Sequence, residues 1–187
     1  MELPPKKTLR RAIEPDTARF LTFSCYRRIR LFDNDRIKDR FLEHLGAETA
    51  RQQAHLLAWV IMPEHVHLVV VPNEQDDVPR YLLSLKRLFA REVLDRWREL
   101  DAPILPRLRD LSGDLHFWQN GGGYDRNVLG DELWEKIKYT NSNPVKRGLV
   151  ADGCDWKWSS ARAFAGRTDA VGPAVASQFL PMSGGNR

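Results

Sequence analysis

The chain has 187 residues, 42% hydrophobic and 29% charged, the balance of a globular domain and not of a disordered segment. Its 29 Lys+Arg against 25 Asp+Glu leave a formal charge of +4, which permits a polyanionic partner without requiring one. The length excludes architectures of about 250 residues such as the TIM barrel, no run approaches the ~18 apolar residues of a membrane span, and Cys25 and Cys154 cannot form a zinc ribbon by themselves.

Residues 1–16, with Pro4, Pro5, Lys6, Lys7, Arg10 and Arg11, read as a flexible basic arm without the apolar stretch of a secretory signal. With two cysteines read as reduced thiols, a cytoplasmic location is expected. The aromatic, β-prone run from Arg19 to Tyr26 predicts a first strand. Asp33 is a candidate N-cap for a helix to about Gln53, with Ile37, Phe41, Leu42 and Leu45 at helical spacing. Two apolar runs, Leu56 to Met62 and Val66 to Val71, are separated by Pro63-Glu64 and predict a tight hairpin. A second helix spans about Val78 to Leu100, and Pro103 and Pro106 mark a loop. His116 to Gln119 reads as a short strand before Gly121-Gly122-Gly123. A third helix is expected from about Asp131 to Asn143, because Pro144 disfavours a helical residue before it. Residues 166–187 read as a loose tail. Strand–helix–strand–strand–helix–strand predicts an α+β chain: a ferredoxin-like (RRM-like) sandwich with an antiparallel sheet, in a single domain over residues 17–165.

Three groups of residues carry candidate chemistry. His65 and His67 flank Val66, and in a strand side chains i and i+2 leave the same face, ~6.5–7 Å apart. Two imidazoles so placed can converge on one metal ion; two partly buried structural histidines would give the same pattern. The acid of an H-x-H-x-D metallohydrolase is absent, since position 69 is Val69, and there is no H-E-x-x-H. On the third helix Leu133 and Ile137 face the core, whereas Tyr139 lies about 200° round from Ile137 and shares its face with Asn143. On the second helix Arg80, Arg87, Arg91 and Arg98 fall within about 20° of one line, opposite Leu82, Leu85, Phe89 and Val93. Such a line is either a solvated face or a track for phosphates.

Taken together, AWVIMPEHVHLVV (Ala58–Val70), SLKRLFAREV (Ser84–Val93), HFWQ (His116–Gln119), YTNSNPVKRGLV (Tyr139–Val150) and DWKWSSARAF (Asp155–Phe164) resemble the REP-associated tyrosine transposases, which belong to the HUH single-tyrosine transposases of insertion-sequence type. The conjunction of PEHVH with a downstream Y-x-x-x-N-P-V-K-R-G is more specific than either half. The resemblance implies that His65 and His67, a strand pair on the sheet, hold a divalent metal, Mg²⁺ or Mn²⁺. It implies that Tyr139, on an additional helix, is the nucleophile on single-stranded DNA, and that Asn143, one turn on, is the third ligand. It further implies a single-stranded or hairpin DNA substrate, a palindromic REP-type repeat, handled by a monomer or a homodimer. Arg80, Arg87, Arg91 and Arg98, with Arg126, Lys146 and Arg147, are the expected DNA contacts. A free phenol is about one part in a thousand ionised at neutral pH, so metal-bound phosphate must ease the attack. One phosphodiester is exchanged for another, which agrees with the lack of a G-x-x-x-x-G-K-[ST] loop. Two other readings remain open at this point: a non-catalytic ferredoxin-like nucleic-acid-binding module, and a metal-dependent nuclease using water.

Overall fold

The computed structural model describes residues 17–74, 78–121 and 123–179. The expected basic arm and the end of the expected tail lie outside the described residues. β1 (Ala18–Ser24), β2 (His55–Ile61), β3 (His65–Val71) and β4 (Tyr124–Val128) form one sheet in the order β2-β3-β1-β4. Every neighbouring pair is antiparallel. This is the ferredoxin-like arrangement, with β1 and β3 side by side in the middle and β2 and β4 at the edges. Every residue of β3 is buried, because helices cover both faces of the sheet.

α1 (Asp35–Arg51) and α2 (Val78–Glu99) pack on one face. Their apolar stripes join Leu21, Phe23, Val66, Leu68 and Val70 in one core. α3 (Gly130–Lys146) covers the other face with Leu133 and Ile137, against Phe20, Leu57 and Val69. Period-two alternation along β3 therefore sends Val66, Leu68 and Val70 to α1 and α2 and leaves His65 and His67 on the α3 side. The stripe of α2 contains Phe89, fully buried among Phe32, Phe41, Phe117 and Trp118 at ring distances of 5.0–5.8 Å. Burying each such ring contributes about 1.5–3 kcal/mol.

Several expected boundaries are corrected. The fourth strand is Tyr124–Val128 and not His116–Gln119. Phe117 and Trp118 are both buried in the same core, so consecutive side chains there do not alternate, and the segment makes only a bridge between Cys25 and Trp118. α1 is capped by Asn34, whose Oδ1 accepts the Arg36 N–H at 2.9 Å, while Asp33 is taken up by Arg30. α3 runs past Asn143 to Lys146 with Pro144 inside it. Pro144 stands in the last turn, and the helix closes just beyond it on Gly148 (φ +66°), with bonds from Gly148 N–H to Val145 O and Leu149 N–H to Pro144 O. The stretch after residue 165 is not loose as far as Phe179. Ala176 N–H bonds Leu56 O at 2.9 Å, and Gly172 (φ +88°) lies so close to Trp59 that a Cβ there would sit 2.7 Å from the ring. Among the described residues no helix is long and apolar enough to cross a membrane.

Candidate active site

The β1–β3 register sets Thr22 directly opposite His67. Thr22 Oγ1 lies 2.7 Å from His67 Nδ1, and Glu64, the residue just before β3, places Oε1 3.0 Å from His65 Nδ1. With both Nδ1 atoms engaged, the two Nε2 atoms point at each other, 3.0 Å apart. From the other side α3 delivers Asn143, whose side-chain amide lies 3.2 Å from His67 Nε2. Tyr139, one turn earlier, stands edge-on over the His67 ring at 5.4 Å and against Phe20 at 6.0 Å. It remains 39% exposed. Lys146 Nζ sits 4.8 Å over the Tyr139 ring. The sequence-predicted His65, His67, Tyr139 and Asn143 are thus brought together on one face of the sheet.

Burial, with the neighbouring His65 and then Arg28 adding to it, pushes the His67 imidazole down to about 3. His65 is also pushed down by burial, in spite of the Glu64 carboxylate beside it. Both rings are therefore neutral at neutral pH, with lone pairs available. Burial pulls the Glu64 carboxyl up, but its cationic neighbours, His65 when protonated and Arg147 always, outweigh that and hold it below the usual carboxylate range. Arg147 and Arg28 both donate to Glu64 Oε1, at 3.0 and 3.2 Å.

Two buried oxygens here have no hydrogen-bond partner, Asn143 Oδ1 and Glu64 Oε2. The amide nitrogen and oxygen of Asn143 are interchangeable in shape, so its orphaned oxygen is available to the place where the two Nε2 atoms converge. Two neutral imidazoles held from behind by a carboxylate and a hydroxyl, with an unsatisfied amide oxygen beside them, fit a divalent cation. Among the described residues no cluster of three or more His, Cys, Asp or Glu side chains could hold a metal, and the Asn143 amide is a further polar group that lies beside the converging Nε2 atoms.

Arg126 lies opposite Phe20 in the β1–β4 register and therefore on this same face, exposed and paired with Glu132 at 2.9 Å. Lys146 and Arg147 complete a basic rim. Arg80, Arg87, Arg91 and Arg98 are all exposed as expected, but α2 places them on the opposite layer of the sheet. Arg98 pairs with Asp95, and Arg87 lines a groove of about 600 Å³ with Leu82, Lys86 and Trp118. Sequence reasoning missed Thr22, Arg28 and Glu64. Only Glu64 carries a signal, an acid immediately before the first histidine.

The model of the family described as "Transposase IS200 like" matches residues 17–139, more than half of the chain, and ends on Tyr139. The chain belongs to the IS200-like transposase family. That is a family of enzymes. The REP-associated tyrosine transposase of Escherichia coli K12 is 27% identical over 103 residues, covering 55% of this chain and 52% of that protein. A Haemophilus influenzae protein named for the same class is 27% identical over 119 residues, 63% of this chain and 61% of that protein. The chain thus matches between half and two thirds of the length of these relatives. A solved structure of a REP-associated tyrosine transposase bound to a REP hairpin superposes with a TM-score of 0.63 at 18% identity, over 97% of this chain and 98% of that one. That likeness is one of fold.

Proposed function

We propose that this transposase cuts and rejoins single-stranded or hairpin DNA through a covalent link to Tyr139. The observation that carries the reading is the placement of the Tyr139 ring over His67 exactly where the two histidine Nε2 atoms and the Asn143 amide converge. In the proposed step the Tyr139 oxygen bonds to a backbone phosphorus and its proton passes to solvent, which reaches the half-exposed ring. The bond from phosphorus to the 3′ oxygen breaks, and that oxygen leaves as a 3′-hydroxyl after taking a proton. The reverse step on another 3′-hydroxyl restores a diester, so no nucleotide cofactor is consumed. His65, His67 and Asn143 would hold Mg²⁺ or Mn²⁺, which when bound supplies positive charge to a phosphate oxygen in the crowded transition state. Phe20 and Lys146 hold the Tyr139 ring against rotation by edge and cation contacts.

The rim of Arg126, Lys146 and Arg147 takes the phosphates next to the cleavage point, and the arginine stripe of α2 takes DNA that continues round the sheet edge. The relatives' association with REP sequences supports a palindromic hairpin as the substrate here. The test is Tyr139→Phe. Tyr139 is not part of the core, so the variant should fold and bind hairpin DNA as the wild type does and form no adduct with labelled DNA on a denaturing gel. Cleavage that survives the change would point to a water-using nuclease. Binding with neither adduct nor cleavage in the wild type would point to a non-catalytic binding module.

A further inference from the structure

Arg27 and Arg28 have φ of +51° and +53°. Two consecutive residues with side chains in the left-handed region are unusual, and such outliers persist only where the surroundings impose them. Here they are imposed. Tyr26 N–H bonds Phe117 O at 2.8 Å, Arg27 N–H bonds Gln119 Oε1 at 3.0 Å, and Arg28 N–H bonds Cys25 O at 3.0 Å. The turn is further tied to the hairpin by Cys25 N–H on Glu64 O at 2.9 Å.

The strained turn gathers positive charge. Arg27, Arg28 and Arg30 from the turn, and Arg107 from the loop after α2, line one cavity of about 650 Å³ with Trp97 and Ile104. Asp33 is the one acid among the described lining residues, and Arg30 holds it at 2.9 Å. Among the described residues no carboxylate pairs with the Arg27 or Arg107 guanidinium, and that of Arg27 lies over the Tyr26 ring at 4.8 Å. Carboxylates already match two of the four guanidinium groups, Arg28 on Glu64 and Arg30 on Asp33, which leaves Arg27 and Arg107 as the charge that an entering anion would meet. Trp97 stacks on Phe117 at 5.8 Å with the rings 26° apart, which fixes it as a flat wall. Arginines beside a fixed indole suit a phosphodiester and the unstacked base attached to it. Arg28 lines this cavity and also donates to Glu64, which holds His65. The cavity therefore opens within two side chains of the catalytic face.

We propose that this cavity is an anchoring site for the single strand that flanks the segment held at Tyr139, taking one or two of its phosphates on Arg27 and Arg107 and a base against Trp97. The inference rests on the reading of the protein as an enzyme acting on single-stranded DNA. The test uses the full chain, wild type and Arg27→Gln/Arg107→Gln, with a fluorescent palindromic hairpin carrying no tail, a 5′ tail or a 3′ tail, in anisotropy titrations across a salt series. In the wild type one of the two tails should tighten binding. The double variant should lose about tenfold on that tailed hairpin and flatten its log–log salt slope by about 0.7 for one phosphate contact or about 1.4 for two. Its affinity for the tailless hairpin should be unchanged. Arg107→Gln alone, in an exposed turn, should flatten the slope by about half as much. An equal loss on the tailless hairpin, or no loss on either tail, overturns the proposal. Adduct formation by the wild type is scored in parallel. An adduct with unaltered tail binding in the variant removes the cavity and keeps Tyr139 as nucleophile. Tail-specific loss without any wild-type adduct keeps the cavity and removes the nucleophile.

Discussion

Glu64→Gln separates a metal-positioning role from a structural one. The Glu64 side chain is 6% exposed, and its Oε1 is shared by His65 Nδ1, Arg147 and Arg28 at 3.0–3.2 Å. Glutamine keeps the shape and can still accept the His65 N–H, but it removes the negative charge that orients the ring and makes its other nitrogen a stronger donor to a cation. Loss of such an outer partner typically lowers metal affinity 10–100-fold, about 1.4–2.7 kcal/mol. The folded state should suffer little. Arg28 and Arg147 are 62% and 47% exposed, so water takes over their solvation, and pairs of that kind contribute about 1 kcal/mol or less. Calorimetric titration with Mn²⁺ measures the first quantity, and thermal unfolding without metal measures the second. Metal affinity equal to wild type would refute the argument and reduce Glu64 to a hairpin residue. A large fall in Tm with unchanged affinity would do the same.

The buried His67 gives a pH dependence. In the unfolded chain its imidazole takes up a proton near 6.5, and in the folded chain only near 3. Below pH 6.5 the unfolded state binds the extra proton, so stability falls as the pH drops from 6.5 to 3, by up to about 5 kcal/mol at about 1.4 kcal/mol per unit, and is unaffected above that window. Chemical denaturation of metal-free protein against His67→Gln checks this, and parallel pH profiles in the two would refute it. Gly123→Ala should lower stability by about 1–3 kcal/mol, because φ is +75° and the new Cβ would meet the Thr22 carbonyl oxygen at 2.0 Å; Gly121→Ala, with no atom near its Cβ, should lower Tm less. Replacing Arg87 and Arg91 together by Gln should flatten the salt slope of hairpin binding by about one to two units. It should leave adduct formation on a short single strand unchanged, since α2 lies on the layer away from Tyr139; an unaltered slope would make the stripe a solvated face.

The elements with strong periodicity were legible in the sequence: β1, the β2–β3 hairpin, and the helices with apolar stripes. Alternation in β3 also fixed that His65 and His67 share a face, and the i, i+4 spacing fixed that Tyr139 and Asn143 share one, because both follow from backbone geometry alone. The expectation that this face of α3 turns away from the core is corrected, since Asn143 is buried against His67 and Tyr139 packs on Phe20. β4 was not legible. Its YDRNV carries little β propensity and forms as an edge strand through its pairing with β1 and through Asp125 on Arg19, whose Nε donates at 2.9 Å. The end of α3 was misread because the penalty for a helical residue before proline is local, while the closing bonds beyond Pro144 depend on Gly148 and Leu149. Tertiary structure alone decided which layer each candidate occupies. A helical line of arginines specifies a face of α2, but only packing on the sheet decides whether that face looks toward the histidines, and here it does not. The same packing brings Arg28, Arg147 and Glu64, far apart in sequence, onto one carboxylate oxygen behind His65. No pattern within a single element encodes a contact of that kind.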